Sequence, residues 1–395
     1  MPETNLTPFH DWLVHLRRTF HEIPELAYQE EKTSARIREV LDELGVACET
    51  GVAKTGLVAC LEAKKTGPTV ALRADMDGLP IEEGSEVSYR SRHPGIMHAC
   101  GHDGHVTIAL GVIRWLVEYG WVQKGHGRKL FIFQPAEEGG GSGAREMIAS
   151  GVFDSEPVEA IFACHMYPEL PVGEVGVASG VSNAASDNFL IRLVGKGGHG
   201  AQPHLCVDPV VAGAHLVLQM QDIISRNLPP LEPAVLTVGR FHAGTGRNII
   251  PREAVLEGTI RTLDRKVRDT ILERMEGLLR GLEAGHGVSS KFDITSGYPP
   301  VVNDPRMLDH VLRHAEALLG SGHVHVEPPR MGAEDFAYFL ERWPGVLIRL
   351  GCRSRRKPFV HGLHSPFFDF DERALDVGVR LCIRLLTAYE SPEEA

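Results

Sequence analysis

The sequence predicts an α/β protein, a mostly parallel sheet domain interrupted by an inserted ferredoxin-like α+β domain. Three observations carry that prediction. Apolar strand-like and helix-like runs alternate from Gly56 to Cys164. Between Asn188 and Thr295 the order becomes β-α-β-β-α-β. From Tyr298 the first pattern resumes. The expected domains are residues 1–183 with 297–395 and, between them, residues 184–296. A chain of 395 residues exceeds one typical domain, so two are the natural expectation.

The elements follow from apolar spacing. Phe9, Leu13, Leu16 and Phe20 recur at helical intervals over residues 7–20. The run His21-Glu22-Ile23-Pro24-Glu25-Leu26 then ends the helix. It lacks the second His of a zinc-protease helix, and Pro24 is unsuited to a helix interior. Residues 30–44 read as a second amphipathic helix closed by Gly45. Strands are expected at 56–61, 69–74, 129–134 and 160–164, with helices at 106–117 and 144–149. In the insert, strands are expected at 188–194, 234–241, 254–262 and 291–295, with helices near 207–224 and 265–282. Helix 305–319, strand 345–350 and helix 372–389 complete the chain.

Composition excludes several functions. The net charge of −11 argues against nucleic acid, whose binders present a basic face. It gives no reason to expect an anionic membrane surface as partner. No apolar run reaches membrane-spanning length. The polar opening Met1-Pro2-Glu3-Thr4-Asn5 does not read as a secretory signal. The 7 cysteines are irregularly spaced and make no disulfide framework, so a cytoplasmic location is expected. The acidic end, Glu390 to Glu394, is expected to fray.

Residues with chemistry gather between strand ends and helix starts, where open α/β sheets place their sites. Met97-His98-Ala99-Cys100-Gly101-His102-Asp103-Gly104-His105 holds a thiol, three imidazoles and a carboxylate. It follows a strand that ends in Asp75-Met76-Asp77-Gly78. We read this loop as the core of a metal site, with Cys100 and His102 as its donors. Other segments supply matching groups. They are Gln134-Pro135-Ala136-Glu137-Glu138-Gly139-Gly140-Gly141, Cys164-His165 and Gly362-Leu363-His364-Ser365-Pro366. Two-metal hydrolysis needs such convergent imidazole, thiolate and carboxylate ligands, plus a carboxylate that is not a ligand. Adjacent side chains diverge, so one of Glu137 and Glu138 can bind metal while the other accepts a proton from water. The glycines after them permit close approach of a ligand. The sequence holds no Walker A motif, no G-x-S-x-G elbow and no G-x-G-x-x-G after its first strand. No C-x-x-C accompanies Cys100, which argues against redox chemistry.

These segments, in this order, resemble the aminoacylase and hippurate hydrolase branch of the dinuclear metallopeptidase clan, which includes plant auxin-conjugate hydrolases and bacterial carboxypeptidases. The resemblance rests on His21 to Leu26, Arg73-Ala74-Asp75-Met76-Asp77-Gly78-Leu79-Pro80, the Met97 to His105 loop and Gln134 to Gly143. It continues through Gly195 to His204, Met331-Gly332-Ala333-Glu334-Asp335-Phe336 and Gly362 to Ser365, and so spans nearly the whole chain. It implies a catalytic α/β domain interrupted by a lid that also forms a homodimer, or a dimer of dimers. It implies two divalent metal ions held by Cys100, His102, Glu138, His165 and His364, with Glu137 as general base. Sulfur favours zinc by softness, but the mixed donor set also suits manganese, cobalt or nickel. Asp77 resembles a residue that orients a ligand from behind. His199 matches a histidine that reaches the active site of the partner subunit and polarises the scissile carbonyl. Asn248 resembles a substrate-binding asparagine of the lid, and Arg247 beside it can pair with a carboxylate. Glu334 and Asp335 match a loop that lines the cleft in relatives, with Glu334 as a contact or supporting group.

The expected reaction is hydrolysis of a hippurate-like N-acyl amino acid to a carboxylic acid and a free amino acid. The metals would lower the pKa of a water, and Glu137 would move its proton. The near rival is a carboxypeptidase or dipeptidase of the same site type, in which Glu334 or Asp335 would hold a substrate amine. A binding or sensor protein on a dead enzyme scaffold is opposed by the complete ligand set. Benzoyl, acetyl, longer aliphatic and indole-acetyl groups are all compatible with these motifs, because few pocket positions separate them.

Overall fold

The computed structural model describes residues 7–354 and 361–389. The acidic end expected to fray lies outside them. Helix α1 (Thr7–His21) buries Phe9, Leu13, Leu16 and Phe20, the residues at helical spacing. Helix α2 (Glu31–Glu43) follows, and Gly45 at φ +69° turns the chain out of it. Next come β1 (Cys48–Val52), β2 (Gly56–Glu62), β3 (Lys65–Asp75), α3 (His102–Glu118), α4 (Trp121–Lys124) and β4 (His126–Gln134). Then follow α5 (Gly143–Ala149), β5 (Val158–Pro171) and β6 (Val175–Ala178). The middle of the chain forms β7 (Ala185–Val194), α6 (Pro209–Asp222), β8 (Ala234–Ala243), β9 (Glu253–Thr262), α7 (Arg265–His286) and β10 (Ser289–Ser296). The last elements are α8 (Pro305–Leu319), β11 (Val324–Glu327), α9 (Ala337–Arg342), β12 (Gly345–Arg353) and α10 (Arg373–Thr387).

The chain forms two compact units. The first holds the residues up to Ser182, Val302–Pro328 and those from Asp335 onward. Its 8-stranded sheet has the order β1-β2-β4-β3-β5-β12-β6-β11. The central strands β4, β3, β5 and β12 pair in parallel, as strands joined by helical crossovers must. Their apolar residues Leu72, Phe131, Phe133, Phe162 and Ile348 are buried. They share one core with Ile108, Val112 and Ile113 of α3 and with Leu375 and Val379 of α10. Helix α3 is buried almost throughout, from His102 to Leu116, against α1 and α10.

The second unit holds Asn183–Val301 and Pro329–Glu334. Its 4-stranded sheet has the order β8-β9-β7-β10, antiparallel throughout. Helices α6 and α7 pack on it, burying Leu216, Ile271, Met275 and Leu279 against Ile191, Leu193 and Leu256. This is the ferredoxin-like arrangement expected from the β-α-β-β-α-β order.

Two boundaries differ from expectation. Helix α3 begins at His102, not at residue 106, because Gly101 at φ +86° turns the chain directly into the helix. Strand β5 continues past Cys164 to Pro171, pairing with β12 through His165, Met166 and Tyr167. In both places buried polar residues interrupt the apolar pattern. Strands β1, β6 and β11 and helices α4 and α9 are short and carried no periodicity long enough to predict them.

Candidate metal centre

Strand register creates the site. Arg73 of β3 lies opposite Ile132 of β4 and Ala163 of β5. Asp75, Gln134 and His165 therefore emerge at one edge of the central sheet. The first turn of α3 starts beside them with His102. Its Nδ1 lies 3.0 Å from the Asp77 carbonyl oxygen. A carbonyl only accepts, so Nδ1 carries a proton and Nε2 is the nitrogen left for a metal, which would displace any proton held there. That buried Nε2 has no hydrogen-bond partner among the described residues. His165 is arranged alike: Nδ1 donates to the Met166 carbonyl at 2.8 Å, and Nε2 faces Cys100 Sγ at 3.6 Å. His364 brings Nε2 within 3.0 Å of Glu138 Oε1.

Overlapping clusters result, three of them built from the proposed ligands and Glu137, each with ligand atoms within 4.8 Å of one another. These three are Cys100 with His102 and His165, Cys100 with Glu138 and His364, and His102 with Glu137 and Glu138. Asp77 lies behind them. Its Oδ1 accepts the Glu137 amide at 3.2 Å and its Oδ2 the Glu138 amide at 2.9 Å, while Oδ1 is 3.3 Å from His102 Nδ1.

Electrostatics follow from crowding anions in a buried place. Burial opposes charge on His102, but Asp75, Asp77 and Glu138 outweigh it and push its pKa up to about 10. Burial pushes the Cys100 thiol well up, and Glu138, Glu137 and Asp75 add to that. Burial also works against the Asp75 carboxylate, yet Arg73, His102 and His105 hold it well below the usual range. Such a thiol becomes a thiolate only beside added positive charge. Sulfur, imidazole and carboxylate donors crowded within 4.8 Å of one another fit a pair of divalent cations.

Several structural residues were not singled out from the sequence. His105 uses both ring nitrogens: Nδ1 donates to Asp75 at 2.5 Å, and Nε2 accepts from the Met166 amide at 2.8 Å. It thereby ties α3 to the strand that carries His165. Arg73, buried, donates to Gln134 at 2.7 Å, Asp75 at 2.5 Å and Asp335 at 3.0 Å. A charge inside an apolar strand was the available signal. Asp335 also accepts from Gln134 and from the Ala144 amide at 3.0 Å. It is fully buried and anchors the sheet end, with a carboxylate oxygen in a donor cluster that includes Glu137.

His199, Arg247, Asn248 and Glu334 belong to the second unit. Gly198–His199 pairs with Ile249–Ile250 in a short antiparallel ladder, and the Gly200 amide donates to the Asn248 carbonyl at 2.9 Å. The structure thus brings His199 and Asn248 together. His199 Nδ1 accepts from the Ala201 amide at 3.0 Å, which leaves its proton on Nε2. His199, Arg247 and Asn248 are exposed, whereas Glu334 is buried.

A family model described as Peptidase family M20/M25/M40 matches residues 71–388. Thermostable carboxypeptidase 2 of Saccharolobus solfataricus is 39% identical over 371 residues, covering 93% of this chain and 93% of that one. N-acetyldiaminopimelate deacetylase of Shouchella clausii is 38% identical over 377 residues, covering 95% and 98%. A solved structure from Bacillus subtilis, described as a dinuclear metal binding peptidase from the M20 family, aligns with TM-score 0.83 at 34% identity, covering 96% and 98%.

Proposed function

The chain belongs to peptidase family M20/M25/M40 and is a metal-dependent hydrolase of amide bonds; we propose that it cleaves N-acyl amino acids, hippurate-like ones included, to a carboxylic acid and a free amino acid. The observation that carries this reading is the pair Glu137 and Glu138. Both lie in one buried donor cluster, with their successive amides held by the same Asp77 carboxylate. In this reading Cys100, His102, Glu138, His165 and His364 hold two divalent ions, zinc or manganese, with cobalt or nickel as substitutes. Such a pair supplies an acidified water and a Lewis acid for the amide carbonyl. Glu137 accepts the water's proton at a carboxylate oxygen and hands it to the leaving nitrogen. Asp77 holds His102 in the tautomer that presents Nε2. His199, brought by a second copy of the chain, donates its Nε2 proton to the developing oxyanion. Asn248 and Arg247 hold the substrate carboxylate, with Glu334 as a further contact. Residues 184–296 serve as lid and dimerisation domain of a homodimer.

Among the described residues no helix is long and apolar enough to cross a membrane. A second reading, removal of a C-terminal residue from peptides, is favoured by the likeness to a thermostable carboxypeptidase.

One experiment separates these readings. Chelator-stripped protein receives manganese, zinc, cobalt or nickel in turn. It is then offered benzoyl-, acetyl- and indoleacetyl-amino acids beside unblocked peptides. We expect metal-restored cleavage of the blocked substrates. Glu137→Gln should lower kcat by at least about 10²-fold at unchanged metal content. Cleavage of unblocked peptides alone would move the protein to the carboxypeptidase reading. No cleavage by metal-loaded protein would sink both.

A further inference from the structure

The connection from Gln134 to Gly143 carries both Glu137 and Glu138, and its backbone is bent unusually. Ala136, directly before Glu137, has φ +52°. A residue with a Cβ is strained in the left-handed region, so surrounding contacts must hold it there. Ser142, near the far end, has φ +55°. The Gly143 amide closes the turn on the Ala136 carbonyl at 3.0 Å. A Cβ on Gly143 would lie 1.7 Å from the Pro135 carbonyl oxygen, so the closure requires glycine.

The fastening comes from the segment before α2. Glu30 is fully buried. Its Oε1 accepts the Ala136 amide at 2.9 Å, and its Oε2 accepts the Thr55 hydroxyl at 2.6 Å. Among the described residues no cation pairs with Glu30, so it acts as an acceptor and not as half of an ion pair. Two residues earlier, the Tyr28 hydroxyl donates to the Gly141 carbonyl at 2.5 Å. Tyr28 itself has φ +62°. The turn is therefore held near its start by Glu30, in its middle by Asp77 and near its end by Tyr28. Asp77 also touches His102, so its loss would disturb a proposed ligand. Glu30 is hydrogen-bonded to none of the proposed ligands.

We infer that Glu30 is a positioning residue, which clamps the Ala136 amide and so aims the Glu137 carboxylate, with Tyr28 as the second fastening of the same turn. The inference rests on Glu137 being the base. Relaxing Ala136 toward an ordinary backbone angle rotates the chain just ahead of Glu137. A misplacement of about 1 Å costs on the order of 10²-fold in rate. Asp77 still holds the Glu137 and Glu138 amides, so the loop stays in place and loss of the clamp changes only the angle at which the chain enters Glu137. The other proposed ligands arise from separate segments, so the clamp acts on turnover and not on metal content.

The test compares Glu30→Ala, Glu30→Gln and Tyr28→Phe with Glu137→Gln and the parent. It reads kcat, KM, bound metal and thermal midpoint. Glu30→Ala should lose about 10- to 100-fold in kcat, with KM and bound metal near those of the parent. Glu30→Gln keeps an oxygen for the Ala136 amide and should recover most of that loss. Tyr28→Phe should lower kcat several-fold with metal unchanged. Parent kcat in Glu30→Ala, equal impairment of Glu30→Gln and Glu30→Ala, or metal loss in step with activity would each overturn the inference. If Glu30→Ala does not fold, parent kcat in Tyr28→Phe overturns it instead. Normal turnover by Glu137→Gln would remove the base itself. A dead Glu137→Gln beside an unimpaired Glu30→Ala would remove only the clamp.

Discussion

Three imidazoles stand between His98 and His105, where the loop enters α3, and their hydrogen bonds give them different tasks. In the sequence His102 reads as the ligand, and His98 and His105 have no assigned task. The structure leaves His102 Nε2 buried without a hydrogen-bond partner among the described residues, 3.7 Å from Asp75 Oδ2, occupies both nitrogens of His105 and buries His98 without a hydrogen-bond partner on either nitrogen among the described residues. Spacing cannot separate these cases, because they depend on where Asp75, Asp77 and Met166 lie. A histidine pair away from the site shows how such burial sets acid stability. His310 and His314 have ring centroids 4.5 Å apart, and His310 bonds the Leu385 carbonyl at 3.0 Å. Burial first, then His310, Arg313 and Arg384, push His314 down to about 4, against about 6.5 in the unfolded chain. The fold therefore binds fewer protons than the unfolded chain between these values. This contribution is fully present above about pH 6.5 and is lost as pH falls toward 4. Urea midpoints of the parent and His314→Leu should run closer together at pH 4.5 than at pH 7.5, or cross, because the variant lacks this acid penalty. A constant offset between the two curves would refute the assignment.

At the scale of elements, long apolar periodicities were readable and their junctions were not. Helix α1 and strand β4 appeared where Phe9 to Phe20 and Leu130 to Phe133 placed them. The start of α3 did not, since its first turn is buried yet polar. Gly101 makes that junction. It sits at φ +86°, and a Cβ there would lie 2.9 Å from Met166 Cβ and Cγ. It stands between Cys100 and His102, and Met166 follows His165, so the glycine lets two donor-bearing segments approach each other. Gly101→Ala should destabilise the protein by about 1–3 kcal/mol and weaken retention of metal through dialysis. Urea unfolding and metal content measure the two effects. Parent values for both would show that the close approach is not required.

At the scale of the molecule, the insert was legible because its sheet has one buried face. Strand β7 alternates buried and less buried positions along its whole length, the two-residue period that a half-covered strand imposes. The larger sheet is covered on both faces at its centre, where the pattern becomes a continuous apolar run. The strands could be found there, but their order could not. Edges were equally hidden, and they bear on assembly. Strand β8 lies at one edge of the 4-stranded sheet and exposes Val235 and Phe241. Helix α6 exposes Val211 and, at 69%, Leu218. The Phe241 ring comes within 2.6 Å of where a Cβ on Gly213 of α6 would stand, so Phe241 lies against that helix. Unpaired edges and apolar patches of this kind are ordinarily covered by a partner, which favours the proposed homodimer. Light scattering should give a mass twice that of the chain. Leu218→Glu combined with Phe241→Glu should halve it while preserving the circular dichroism spectrum. If His199 serves the neighbouring copy, the same variant should also lose turnover while keeping its metal. A fully active monomer would return His199 to its own chain or remove it from the reaction.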